Sequence, residues 1–310
     1  MTTALTAAGL SQAVTYAFVD PGRLAAMGWS SPAGLITLQN PISVERSVLR
    51  PSLAPGLLEV VALNGSRQIP DVRVFEIGQT FAPHRDEDGD FPAHEELWVA
   101  VVMTGQRVAR AWHAGRERAD VYDAKGAAEL VIGAAAGVGE ADVTPYAPGA
   151  GPPYLEEGRA AALSVGAREI GWFGEVALHV REALDLPSPL FLAEISLTAL
   201  LALPRLPIRF EPLPRFPAVQ RDLAVVVPAE VTAGQVEAAI RAMKLPLLSW
   251  ITLFDVYEGA QVGAGKRSLA WSLTFQAPDR TLTDKEVNEQ HAKIVAEVGR
   301  RFAAEIRGVS

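Results

Sequence analysis

Large apolar and small polar residues alternate strictly in residues 268–275, and this alternation predicts a β-strand with one buried face. The apolar positions are Leu269, Trp271, Leu273 and Phe275. The other face carries only Ser, Ala and Thr side chains, so we expect it to be smooth, polar and without an exposed aromatic ring.

The flanking segments complete a predicted order of strand, helix, strand, strand, helix and short strand. Both predicted helices begin at a threonine that is followed three residues later by Gln or Glu, namely Thr232 with Gln235 and Thr283 with Glu286. Each pair predicts a capping box, in which the two side chains satisfy backbone donors reciprocally. In the second helix, His291 falls on the apolar face, so we expect it to pack at the edge of a core.

A proline-rich stretch separates this region from the rest of the chain. Residues 204–217 hold five prolines, which exclude a helix interior or a central strand there. We therefore predict a first domain over residues 1–204, an extended linker over 205–217 and a second domain over 218–310.

The first domain has mixed patterns that indicate both strands and helices. Alternation or apolar runs predict strands over 12–19, 73–81, 98–105 and 191–197, with two further pieces in 168–176 that pivot on Gly171 and Gly174. Helices are predicted from near Pro55 and over 124–139, and loops over 84–92 and 146–153.

Composition excludes several classes of protein. The chain has no cysteine and its histidines are scattered, so neither disulfides nor a metal site is expected. No basic signal peptide or apolar span is present at the start, which favours a cytoplasmic protein without membrane contact. From residue 215 onward, 12 Lys and Arg balance 11 Asp and Glu, so any nucleic acid is bound by a few placed groups rather than by bulk charge.

Four motifs in the second domain resemble one known module. They are RDLAVVVP (221–228), FDVYEG (254–259), KRSLAWSLTF (266–275) and DRTLTDKEVN (279–288). Their order is similar to that of the ferredoxin-fold anticodon-binding domain of the bacterial phenylalanyl-tRNA synthetase β-subunit family. LRPSLAPGLL (49–58) and FEIG (75–78), followed by GWFGEV (171–176), resemble the catalytic-like domain of the same family, a relative of the class II aminoacyl-tRNA synthetase core.

The resemblance implies an α+β fold, with a class II-like antiparallel sheet domain followed by a ferredoxin-like βαββαβ domain. It also implies a C-terminal fragment of a β subunit that binds an α subunit and tRNA(Phe) within an α2β2 ligase using ATP and Mg²⁺. We expect no catalytic residue, cofactor or metal in this chain, because Glu76 and the segment after Gly171 lack the arginines that hold ATP phosphates. The divergent residues 146–162 depart from the family pattern.

The resemblance further implies that Ala224, Asp255, Tyr257 and Ser268 contact the first anticodon base. Sheets that recognise RNA commonly stack bases on exposed rings. Because residues 268–275 expose none, Tyr257 is the one ring expected here. The alternative is that Asp255 and Tyr257 merely finish a solvated strand end.

Arg50, Leu53, Leu57 and Leu58 are predicted to form part of a subunit interface, within an apolar stretch expected to leave an exposed patch. Arg50 has a second interpretation, in which it fixes the turn before Pro51. For Glu76 we expect hydrogen bonds to local backbone or to an arginine. Two other functions stay open at this point: a class II-like paralogue that makes adenylates or amides, and a free-standing RNA-binding module.

Overall fold

The structure is a computed structural model. It describes residues 1–29, 34–84, 93–108, 111–113, 115–135, 141–205, 207, 210, 212–259 and 261–307. Residues 85–92 of the loop predicted over 84–92 lie outside the described residues. So do residues 136–139 of the helix predicted over 124–139. The chain divides into two compact units, Met1–Ile208 and Arg209–Ser310.

The first unit is built on a seven-stranded sheet with the order β1-β4-β5-β9-β8-β7-β6, in which only the β1–β4 pair is parallel. A separate pair is formed by β2 and β3. The strands are β1 Ser11–Gln12, β2 Phe18–Val19, β3 Val48–Leu49, β4 Val72–Pro83, β5 Ala93–Thr104, β6 Asp142–Pro145, β7 Leu155–Val165, β8 Arg168–Val176 and β9 Leu190–Ser196.

Helices connect and cover these strands. They are α1 Thr2–Ala7, α2 Pro21–Ala26, α3 Ala54–Ser66, α4 Val121–Ala134, α5 Leu178–Ala183 and α6 Leu197–Leu201. Asp120 and Asp123 close a capping box at the start of α4. Across the described part of the chain, no helix is both long and apolar enough to cross a membrane.

Both faces of the central strands are buried. On β5, Val99, Val101 and Met103 belong to a core with α4, whereas Ala100 and Val102 belong to a second core with α3. A strand buried on both faces reads as a continuous apolar run rather than an alternating one, as residues 98–103 do. The sheet is therefore the middle layer of the unit.

Two sequence expectations for this unit were wrong, and one long strand was not predicted. Residues 12–19 do not form one strand: the Thr15 amide donates to the Glu76 carboxylate at 3.2 Å instead of to a neighbouring strand. Residues 168–176 form one continuous strand, because β7 and β9 hold it on both sides. The strand β7 was missed, since its charged first half does not alternate.

The second unit has a four-stranded antiparallel sheet with the order β11-β12-β10-β13. Its elements are β10 Val219–Pro228, α7 Ala233–Ala242, β11 Leu248–Tyr257, β12 Lys266–Phe275, α8 Asp284–Phe302 and β13 Glu305–Arg307. This is the predicted βαββαβ order, and together with the antiparallel sheet of the first unit it confirms an α+β fold. Both helices pack on one face of the sheet, where Trp271 is fully buried.

Both predicted capping boxes of the second unit are confirmed. At α8, the Thr283 amide donates to the Glu286 carboxylate at 3.0 Å. This amide, the Arg280 guanidinium and the Thr283 hydroxyl lower the pKa of Glu286 to about 2. Because the folded-state pKa is depressed, the contribution of this carboxylate to stability is present above its ordinary pKa of 4.5 and is lost as the pH falls towards 2.

The capping box at Thr283 supports a first prediction. Thr283→Ala removes the hydroxyl that accepts from the Glu286 amide, so we expect the second unit to lose about 1 kcal/mol of unfolding free energy in urea at neutral pH. Thr281→Ala is the matched control, since Thr281 is exposed and precedes the helix. An equal loss for both variants would contradict a specific role of the cap.

Candidate nucleic-acid interface

The four residues predicted to contact RNA lie together on one face of the second unit's sheet, opposite the two helices. Ala270 of β12 pairs with Ala224 of β10 on one side and with Asp255 of β11 on the other. In the next row, Ser268 pairs with Tyr257. Directly opposed residues share a face, so the four predicted side chains occupy two neighbouring rows.

The two β11 side chains are the accessible ones. Asp255 is exposed, and 39% of the Tyr257 surface is exposed, whereas Ala224 and Ser268 are half-buried between neighbouring strands. A Cβ added at Gly259 would lie 2.6 Å from the Tyr257 hydroxyl oxygen. Because Gly259, the glycine of the FDVYEG motif, has no side chain, the Tyr257 ring can lie beside the backbone at residue 259.

Among the side chains that the structure describes, this face carries no excess of positive charge. Lys266, at the start of β12, forms an ion pair with Glu305. Asp255 and Asp222 on this face are both exposed and acidic. Contacts to an RNA base are therefore better matched to this surface than contacts to a run of phosphates.

Strand β12 exposes no aromatic ring, as predicted, since Trp271 and Phe275 are fully buried. The sequence reasoning nevertheless missed two exposed rings on β11, Trp250 at 66% and Phe254 at 57% exposure. Register shifts between Leu248 and Trp250 and between Leu253 and Asp255 break the alternation of β11. The cluster of aromatics in residues 250–257 was the only indication in the sequence.

In the first unit, Arg50 lies across β4 and is bound there entirely by its own chain. Its guanidinium donates to the Glu76 carboxylate at 2.8 Å, to Thr15 Oγ1 at 3.0 Å and to the Gln79 carbonyl at 2.9 Å. A Cβ at Gly78 would meet Arg50 Nη2 at 2.4 Å, so only glycine leaves this path open. The interpretation of Arg50 as a structural residue is supported, and the prediction that Glu76 binds an arginine is confirmed.

Glu194 is a second buried carboxylate and lies in the same row of the sheet as Glu76. Ala100 of β5 pairs with Glu76 of β4 on one side and with Glu194 of β9 on the other. Glu194 accepts hydrogen bonds from Ser52 Oγ at 2.7 Å, the Leu53 amide at 3.1 Å and the Tyr154 hydroxyl. Burial raises the pKa of Glu194, and these hydrogen bonds oppose that rise. The Tyr154 hydroxyl is itself buried, and this burial and the neighbouring Glu194 carboxylate raise the pKa of Tyr154.

The predicted subunit-interface residues are interior residues. Leu53, Leu57 and Leu58 have no exposed surface, and Arg50 is 5% exposed. The three leucines share a core with residues of β5 and β9 on the α3 side of the sheet, and Arg50 is bound to Glu76 and Gln79 of β4. The prediction that these four residues face a partner is therefore wrong, because they fill the sheet face of their own unit.

The residues on this covered face do not fit ATP and Mg²⁺. Adenylation requires arginines directed at phosphates and carboxylates that can bind the metal. Here Glu76 and Glu194 are bound by protein groups, and Arg50 is bound to Glu76. Among the residues that the structure describes, no three metal-ligating side chains converge.

Comparison with known families agrees with this architecture. A family described as "Phenylalanyl tRNA synthetase beta chain CLM domain" matches residues 1–197. The chain belongs to the phenylalanyl-tRNA synthetase beta chain family. A second family, "Ferredoxin-fold anticodon binding domain", matches residues 214–307. The predicted family is thereby confirmed.

Members of the family align along almost the whole chain. The phenylalanine-tRNA ligase beta subunit of Anaeromyxobacter dehalogenans is 42% identical over 98% of this chain and 37% of its own length. That of Moorella thermoacetica is 41% identical with the same coverage. The chain thus spans a little over a third of the length of these relatives.

Among solved structures, a pyrrolysyl tRNA synthetase from Desulfitobacterium hafniense is similar over 64% of this chain and 64% of its own chain. The sequence identity is 20% and the TM-score is 0.47.

The Glu194 cluster supports a second prediction. Tyr154→Phe keeps the ring that stacks on Trp29 but removes a donor to a buried carboxylate, so we expect a loss of about 1–3 kcal/mol in unfolding free energy. The loss should be larger at neutral than at acid pH, because the hydrogen bond favours the charged form of Glu194.

Urea unfolding at several pH values measures this loss. Tyr146→Phe is the matched control, since the Tyr146 hydroxyl donates to Glu169 at the surface. Equal losses in the two variants, or no dependence on pH for Tyr154→Phe, would contradict the role assigned to Tyr154.

Proposed function

We propose that this chain recognises the anticodon of tRNA(Phe) through its second unit and binds an α subunit through its first, without forming an adenylate itself. It would act in the cytoplasm as part of an α2β2 ligase that uses ATP and Mg²⁺ elsewhere. The observation that carries the proposal is the convergence of Ala224, Asp255, Tyr257 and Ser268 on one sheet face of an anticodon-binding fold.

The chemistry of these side chains suits guanine as the first anticodon base. The Asp255 carboxylate can accept from both the N1–H and the 2-amino group of guanine, whereas adenine offers it neither donor. The Tyr257 ring can stack on the base, and Ser268 can donate to or accept from the base edge. The Ala224 side chain is a single methyl group, so it leaves space on this face for a flat base.

The covered sheet face of the first unit supports the noncatalytic part of the proposal. A substrate bound there would have to displace Arg50 from Glu76, or Ser52 and Tyr154 from Glu194. The first change leaves a buried charge without its partner, which costs about 3–5 kcal/mol for an ion pair. The second leaves the buried Glu194 carboxyl without two of its hydrogen-bond donors. The closed face is therefore a structural core.

A different surface fits the α subunit. Val14, Tyr16, Ile42 and Val44 are exposed at 87%, 71%, 99% and 74%. Tyr16 lies beneath the Arg46 guanidinium, 5.2 Å from the ring centroid, and residues 44–46 form a turn of 3₁₀ helix beside β2. Val14 and Val44 each lie two residues along the chain from this Tyr16–Arg46 pair. Exposed apolar side chains near an aromatic ring and an arginine are typical of protein interfaces.

Substitutions on β11 test the RNA-binding proposal. Tyr257→Ala should weaken binding of tRNA(Phe) by about tenfold to a hundredfold, because one base loses its stacking partner. Asp255→Ala should instead reduce discrimination between guanine and adenine at the first anticodon position. The measurement is the kinetics of charging by the ligase reconstituted with an α subunit. It compares tRNA(Phe) carrying guanine at the first anticodon position with a variant carrying adenine there.

Asp279→Ala is a matched control for Asp255, since it removes an exposed carboxylate from a loop. If Tyr257→Ala and Asp255→Ala leave the kinetic constants for both tRNAs at wild-type values, this face does not bind the anticodon. Phenylalanine-dependent pyrophosphate exchange by the purified chain alone would overturn the noncatalytic assignment.

The assembly surface is tested by Tyr16→Ser, which removes the exposed ring beside Arg46. We expect affinity for the α subunit to fall by about tenfold, as is common when a central interface aromatic is lost. Tyr122→Ser, an equally polar change at a ring that is 73% exposed on α4, should leave affinity unchanged. Calorimetry with purified α subunit compares the two, and equal affinities would place the interface elsewhere.

A further inference from the structure

Trp250 lies on the same sheet face as the proposed anticodon-binding residues. It pairs with Thr274 of β12, and Tyr257 pairs with Ser268 of the same strand. Thr274 and Ser268 are an even number of residues apart, so their side chains and those of their partners point to one side of the sheet. That side is the one occupied by Asp255 and Ala224.

The Trp250 ring contributes little to the fold of its own unit. It is 66% exposed, and it is absent from the core formed by α7, α8 and the opposite sheet face. Single exposed aromatics are common on protein surfaces. Trp250 is distinguished by its position, on an edge strand and in register with the face that carries Tyr257.

The two rings are too far apart to bind the same base. Thr274 is six positions after Ser268 along β12, which places the two about 20 Å apart at roughly 3.3 Å per residue. Nucleotides of one strand are about 3.4 Å apart when they stack on each other and farther apart when they do not. A ring at Trp250 would therefore contact a nucleotide several positions away from the one at Tyr257.

We propose that Trp250 is a second base-stacking position on this face and binds an unpaired nucleotide of the anticodon loop other than the first anticodon base. The proposal rests on the RNA-binding function proposed above. Stacking on an indole is tolerant of sequence, because every base has a flat aromatic face. Trp250 is therefore expected to contribute affinity rather than discrimination between bases.

Serine and threonine side chains surround this position and leave the ring accessible. Thr274 and Ser272 of β12 are half-buried, and Thr252 of β11 is exposed. Ser249 donates to the Thr274 carbonyl at 3.0 Å, which fixes the start of β11 at the register shift. The indole is thus attached to a strand end held by the sheet.

An RNA hairpin with the tRNA(Phe) anticodon loop tests the proposal, with 2-aminopurine replacing one loop nucleotide at a time. Stacking on a protein ring quenches 2-aminopurine fluorescence. With the 310-residue chain, we expect quenching at two separate loop positions. Tyr257→Ala should abolish it at one position and Trp250→Ala at the other.

Affinity for the unlabelled hairpin provides the second measurement. Trp250→Ala should weaken binding by about tenfold, by the same factor whether the first anticodon base is guanine or adenine. Trp250→Phe should retain part of the affinity, because a smaller ring still stacks. Trp112→Ala removes an indole that is 97% exposed in the first unit and should change neither measurement.

Three outcomes would overturn the proposal. If Tyr257→Ala has its effect and Trp250→Ala has none, the second stacking position is absent and the RNA-binding function stands. If the wild-type chain does not bind the hairpin, both proposals fail together. If Trp250→Ala changes the mass of the chain in solution but not its RNA affinity, the ring belongs to a protein contact.

Discussion

Two buried carboxylates in one row of the seven-stranded sheet determine the arrangement of the first unit. Glu76 binds Arg50, and Glu194 binds Ser52 and the Leu53 amide, so both ends of a four-residue segment are attached to the sheet. Helix α3 begins immediately afterwards at Ala54 and must therefore lie across the same face. A charge buried without its partner is costly, so this segment cannot leave the sheet without unfolding the core beneath it.

The two sheets differ in how they are covered. Helices of its own unit cover both faces of the seven-stranded sheet. The four-stranded sheet is covered on one face only. Its other face carries Asp255, Tyr257 and Trp250 on an edge strand, where all three side chains are exposed.

The elements that could be predicted best are those fixed by near neighbours in sequence. The capping boxes at Thr232 and Thr283 each depend on residues three positions apart, and strand β12 follows from alternation over eight residues. The position of Asp255 and Tyr257 beside Ser268 was accessible through family resemblance. The exposure of Trp250 was not, because two register shifts in β11 remove the alternation that would have shown it.

The sequence by itself determined the family, the βαββαβ order and the two helix starts of the second unit, because short-range spacing and ordered motifs encode them. Only the tertiary structure decided whether an apolar segment is surface or interior. Leu53, Leu57 and Leu58 have the composition of an interface, yet Glu194, some 140 residues later in the chain, holds Leu53 and the start of α3 against the sheet. Burial depends on which distant residues meet, and periodicity within a segment cannot supply that information.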